Sequence, residues 1–184
     1  MNRFTMILLC LCCLFACKND AQKLAKQMQH VIGRQVDIPD YSNMRQSGES
    51  IPFPDSLLKE VNIIIYTPPL FCTSCNLDGL IEWKSFMQEL KTCSQVGFLF
   101  IFKPRKEKEL TATLQELDFN YPVVYDSNNE FVKRNDFINH PIFYSILLDK
   151  NNRIRLTGNP VGNETLWNLY KQQIKMLLSE ESEE

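Results

Sequence analysis

The sequence predicts an α/β domain, a central mixed β-sheet flanked by helices, and three observations carry that expectation. Residues 61–66 and 96–102 are β-branched or aromatic almost throughout, as strands buried on both faces are. Between and after them, apolar residues recur at helical spacing. Towards the end, two short apolar runs flank Asp149-Lys150-Asn151-Asn152, a hairpin turn of residues that tolerate positive φ. Alternating strand–helix units followed by a hairpin and a last helix give a sheet of mixed direction.

The chain starts differently. Arg3 precedes an apolar run at 6–15 that is short for a membrane-spanning helix. A basic start, a short apolar stretch and a small residue at its end read as a secretory signal over residues 1–16. Leu14-Phe15-Ala16-Cys17 resembles the lipobox of bacterial lipoproteins, with Phe15 bulkier than usual. That resemblance implies a lipid anchor on Cys17. The domain would then sit in the cell envelope, held to a membrane and facing the periplasm or the exterior. The net charge of −2 offers no basic stripe for nucleic acid.

Residues 17–59 read as an anchor-proximal extension. Leu24, Met28 and Val31/Ile32 mark a short amphipathic helix over 18–32, closed by Gly33. Residues 35–39 alternate like a short strand, and 40–55, rich in Ser, Gly and Pro, read as loop.

The main domain is expected over 60–178. The strand at 61–66 is broken by Pro68 and Pro69, which cannot donate to a ladder. Leu77, Leu80/Ile81, Phe86/Met87 and Leu90 then follow a helical period. The strand at 96–102 ends at Pro104, and a charged helix at 105–118 keeps Leu110, Leu114 and Leu117 on one side. A short strand at 122–125, a small helix at 128–136 and strands at 142–148 and 154–157 come next. The last helix runs over 164–178, and 179–184 form an acidic tail expected to be disordered.

Of seven cysteines, four fall in the signal and anchor, leaving Cys72, Cys75 and Cys93. Cys93 reads as a small buried hydrophobe after a helix. Cys72-Thr73-Ser74-Cys75 sits where a buried strand turns into a helix. Free N–H groups and the dipole at a helix start stabilise a thiolate and lower the thiol pKa. A second thiol one turn on can attack a mixed disulfide and release the partner. Zinc is disfavoured, because there is no second CxxC and both histidines, His30 and His140, are distant in sequence. A static structural disulfide is the competing reading.

The CxxC between strand and helix, Tyr121-Pro122-Val123-Val124-Tyr125-Asp126 and the strand–turn–strand at 147–154 together resemble the thioredoxin superfamily. The likeness is to its membrane-anchored thiol–disulfide oxidoreductases and redoxins of the bacterial envelope, and covers about residues 60–178. Gly158-Asn159-Pro160 before the last helix also suits a family of thioredoxin-like lipoproteins of uncharacterised role. The resemblance implies a thioredoxin-like fold, Cys72 as nucleophile, Cys75 as resolving thiol and no cofactor or metal. Protein thiols and disulfides of the envelope would be the partners. Asp78 falls where many members carry a glutamate, and either serves proton transfer or is a solvated first-turn acid.

The family's cis-proline maps to Pro141 counting from Asp126, and to Phe143 counting back from Asp149. Phe71 stands where tryptophan is usual, and Tyr66 where cytoplasmic members bury an aspartate. A peroxiredoxin-type site needs a threonine three residues before the cysteine, where Pro69 stands. The sequence thus points to a thiol–disulfide oxidoreductase, against a non-enzymatic binding module whose disulfide is static.

Overall fold

The structure is a computed structural model and describes residue 22, residues 25–69, residue 77 and residues 79–181. Two compact units are distinguished, Met1–Ile32 and Gly33–Glu184. In the first, residues 25–31 are helical.

The second unit holds one seven-stranded sheet. Its strands are β1 (Asn43–Gln46), β2 (Glu49–Pro52), β3 (Val61–Thr67), β4 (Val96–Phe102), β5 (Val123–Tyr125), β6 (Ser145–Leu148) and β7 (Ile154–Thr157), in the order β2-β1-β5-β4-β3-β6-β7. β3, β4 and β5 are parallel, and the remaining pairings are antiparallel. Four helices accompany them: α1 (Gly79–Glu89), α2 (Glu107–Glu116), α3 (Glu130–Arg134) and α4 (Glu164–Glu181).

The topology decides where the long helices lie. The steps β3–α1–β4 and β4–α2–β5 advance in one direction across the sheet, so two right-handed crossovers put α1 and α2 on the same face. That face presents Ile63 and Ile65 of β3, Phe98, Phe100 and Phe102 of β4, and Val123 of β5. Leu80, Trp83 and Phe86 of α1, Leu110 and Leu114 of α2, and Trp167, Tyr170 and Ile174 of α4 share this core. The opposite face carries Ile64, Tyr66, Leu99, Ile101, Val124 and Ile146, with Phe131 of α3 against Tyr66 at 5.8 Å between rings.

Three expectations change. Residues 40–55, read as loop, contain the β1–β2 hairpin. Ser47 and Gly48 both adopt positive φ, 52° and 90°, which closes a two-residue turn whose twist matches the strands. Arg45 pairs with Val123, so this hairpin belongs to the main sheet and the compact unit begins before residue 60. The last helix continues past Leu178 to Glu181, so 179–181 are helical and not an unstructured tail; 182–184 lie outside the described residues. The strand read at 35–39 is reduced to one bridge, Gln35 to Arg153. The Asp149 turn is as expected: its Oδ1 accepts from the Asn151 and Arg153 N–H groups, and Asn152 has φ 56°.

Candidate functional site

A cleft of about 190 Å³ opens at the C-terminal end of β3. Tyr66, Thr67 and Pro68 form one side, Leu77, Leu80 and Trp83 a second, and Pro141, Tyr144, Asn159 and Val161 close it. Its position follows from sequence. Pro68 cannot extend the ladder, and at this end the Tyr66 N–H donates to the Tyr144 carbonyl (2.7 Å) and the Lys103 N–H to the Thr67 carbonyl (2.9 Å). Residues 70–76, with Leu70, Phe71, Cys72 and Cys75, join the Pro69 end of this strand to helical Leu77. They lie outside the described residues, as do Asp78, Cys17 and the 1–16 segment.

The helix that follows is pinned along its length. The Gly162 N–H donates to both Glu82 carboxylate oxygens, at 2.9 and 3.0 Å, with Gly162 at φ 69°. Gly79 packs so closely on Val161 that an added Cβ would meet its Cγ1 at 3.2 Å. Phe86 stacks on Trp167 at 4.1 Å, and Trp167 Nε1 donates to Glu89 at 3.0 Å. The Trp167 and Lys171 contacts hold the Glu89 carboxyl below the usual carboxylate range.

Pro141 lines the cleft, but not as a cis-proline. The His140–Pro141 bond is trans, and no cis peptide occurs among the described residues. Pro141 occupies the first position of a single 3-10 turn, Pro141–Phe143, where its fixed φ fits. His140 is extended before it, and its Nδ1 accepts from the Ile142 N–H at 3.3 Å. Phe143, the other candidate, is buried at 2% exposure with its ring 6.2 Å from Phe137, and does not line the cleft. The residue next to β6 that does is Tyr144, half-buried, its hydroxyl held above the ordinary phenol range by desolvation.

Tyr144 and Asn129, the partner of Tyr66, escaped the sequence reading. Tyr66 donates from its hydroxyl to Asn129 Oδ1 at 2.9 Å, and its ring meets Tyr144 edge-on at 5.6 Å. Asn129 has φ 58°, a left-handed conformation that asparagine tolerates, and Asn128-Asn129 was the available signal for it. Cys93 is half-buried and not the buried residue expected, because it follows the end of α1 in a turn, its N–H bonded to the Leu90 carbonyl. Among the described residues no three of His, Cys, Asp and Glu group as metal ligands.

The sheet order, the helix after β3 and the closing hairpin and helix define a thioredoxin-like fold. No family model matches the chain, and no curated protein matches it in sequence. Solved structures do. The thioredoxin domain of a thiol-disulfide oxidoreductase from Bacteroides vulgatus aligns with TM-score 0.55 at 16% identity, covering 77% of this chain and 96% of that one. A domain of a possible thiol-disulfide isomerase from Cytophaga hutchinsonii gives 0.53 at 16% identity, covering 79% and 96%. A thioredoxin-like protein in its oxidised form gives 0.55 at 15% identity, covering 79% and 97%. The fold is thioredoxin-like.

Proposed function

We propose that the protein is a thiol–disulfide oxidoreductase of the bacterial envelope, tethered through a lipid on Cys17, with Cys72 and Cys75 as its redox pair. The observation that carries this reading is a juxtaposition. In sequence, the segment bearing both cysteines lies between a buried central strand and a pinned helix, and residues on either side of it, Thr67 and Pro68 before and Leu77 and Leu80 after, line one apolar cleft in a thioredoxin-like fold. Structural neighbours with that fold are named as thiol–disulfide enzymes. No helix among the described residues is long and apolar enough to cross a membrane.

The chemistry balances as two exchanges. The Cys72 thiolate attacks one sulfur of a substrate disulfide, forming a mixed disulfide and expelling the other sulfur as a thiolate that takes a proton from solvent. The Cys75 thiolate then attacks Cys72 Sγ, releasing the second substrate thiol and leaving the protein oxidised by two electrons. An external dithiol restores it. Asp78, three residues after Cys75 in sequence, is assigned as the acid–base group. Pro141, Tyr144 and Val161 give the approaching chain an apolar wall.

The test is reduction of an insulin-type disulfide by the reduced protein with a dithiol donor. Turnover that disappears in Cys72→Ser is expected. A wild-type rate no greater than that of the donor alone would leave a static disulfide and a binding module. For the tether, Cys17→Ala should release the protein from membranes; a variant that stays bound after signal cleavage would overturn the anchor.

A further inference from the structure

Behind the cleft wall lies a polar group that the redox reading does not use. Asp126 is 3% exposed and closes the loop that follows β5 with both oxygens, Oδ1 accepting from Glu130 N–H at 2.8 Å and Oδ2 from Phe131 N–H at 2.9 Å. Its own carbonyl accepts from Asn129 N–H at 3.0 Å. These three bonds fix Asn129 in its left-handed conformation, with its side chain turned to the Tyr66 hydroxyl. Tyr66 is the penultimate residue of β3, six positions before Cys72 in sequence, and it borders the cleft.

We infer that Asn129, held by Asp126, is a positioning residue for the redox pair: by gripping the Tyr66 side chain it fixes the strand end from which the cysteine segment departs. The inference rests on the proposed redox role of Cys72 and Cys75. Its logic is geometric. Backbone bonds from Tyr144 and Lys103 hold this strand end in the plane of the sheet. Rotation out of that plane is restrained by the Tyr66 ring, which is packed near Phe131 and Tyr144 and tied at its tip to Asn129. Two thiols react with each other faster the more narrowly their approach is fixed, so loosening the strand end that precedes them should make their disulfide easier to reduce and slow the resolving attack.

The experiment uses the full chain and four variants: Asn129→Gly, which keeps the left-handed backbone but removes the acceptor; Tyr66→Phe, which removes the donor; their double; and Asn129→Asp, which keeps an acceptor. Read out are insulin-type turnover, the reduction potential of the Cys72–Cys75 couple and thermal unfolding. Loss of one half-buried hydrogen bond should lower turnover about three- to tenfold and make the couple more oxidising in either single variant. The double variant should match the singles, and Asn129→Asp should recover most of the rate. Additive losses, or turnover and potential unchanged while the unfolding temperature falls, would overturn the positioning role and leave the redox reading standing. A wild-type protein that exchanges no thiols would overturn both.

Discussion

The two faces of the sheet solve different problems. On the face under α1, α2 and α4, packing is hydrocarbon: Phe100 is fully buried, with its ring 5.0 Å from Phe119, 5.6 Å from Tyr121 and 6.2 Å from Trp83. On the other face, cover comes from a five-residue helix and extended chain, which bring less apolar surface and more backbone to satisfy. Buried side chains do that work. Asp126 bonds two N–H groups, while Asn135 accepts from Asp37 N–H at 2.9 Å and donates to the Asp37 carbonyl at 2.8 Å. Tyr41 sits beside Asp126, and burial with that carboxylate keeps its hydroxyl far above the ordinary phenol range and so neutral. One face holds the fold by area; the other holds particular loops by direction.

The largest effect should come from breaking the hydrocarbon face. Phe100→Ala removes a fully buried ring and should cost about 4 kcal/mol in urea unfolding. A loss below 1 kcal/mol would mean that face is not the main core. Asp126→Ala strands two N–H groups, and about 2–3 kcal/mol should be lost. Because the damage is local, hydrogen exchange should speed up around residues 129–131 more than in β3 and β4. Uniform acceleration would blur the contrast between the faces.

Smaller changes sharpen the comparison at the edges. Gly48 has φ 90°, and an added Cβ would meet Gln115 Nε2 at 3.0 Å and Thr111 Cγ2 at 3.1 Å. Gly48→Ala should therefore destabilise by about 1 kcal/mol, read in the same unfolding assay; a neutral or stabilising result would contradict the turn geometry. Least of all is Glu89. Its pKa is depressed in the folded protein by Trp167 and Lys171, so its contribution is complete above the ordinary carboxylate range and fades as pH falls through and below it. Solvent screening keeps this below about 0.5 kcal/mol. Glu89→Gln should narrow the gap in unfolding temperature between neutral and acidic pH slightly, and a widened gap would mean that the folded protein raises this pKa instead.

How much of this was legible in sequence follows the same division. The hydrocarbon face was, since β-branched and aromatic runs at 61–66 and 96–102 and leucines at helical spacing declare their own burial. The polar face was not. Asp126 and Asn129 look like ordinary turn residues until the fold brings Tyr66 over them, 63 positions away in sequence from the asparagine it binds. The β1–β2 hairpin hid for a related reason. Its strands are four residues each, and Ser47-Gly48 among other loop-forming residues reads as loop until Arg45 finds Val123. At the cleft, counting toward a proline from either side reached Pro141 or Phe143, because a 3-10 turn absorbs the register that counting assumes to be extended chain.

The central claim is that Cys72 forms a covalent link to a partner and Cys75 releases it. Capture by Cys75→Ser measures this directly. The purified variant is incubated with an oxidised model protein or an envelope extract and resolved without reductant. The account predicts a mixed disulfide through Cys72, identified by mass spectrometry, dissolved by dithiothreitol and absent in a Cys72→Ser, Cys75→Ser double variant. Links that form equally without Cys72, or no links at all beside a wild-type disulfide that resists dithiothreitol, would contradict it.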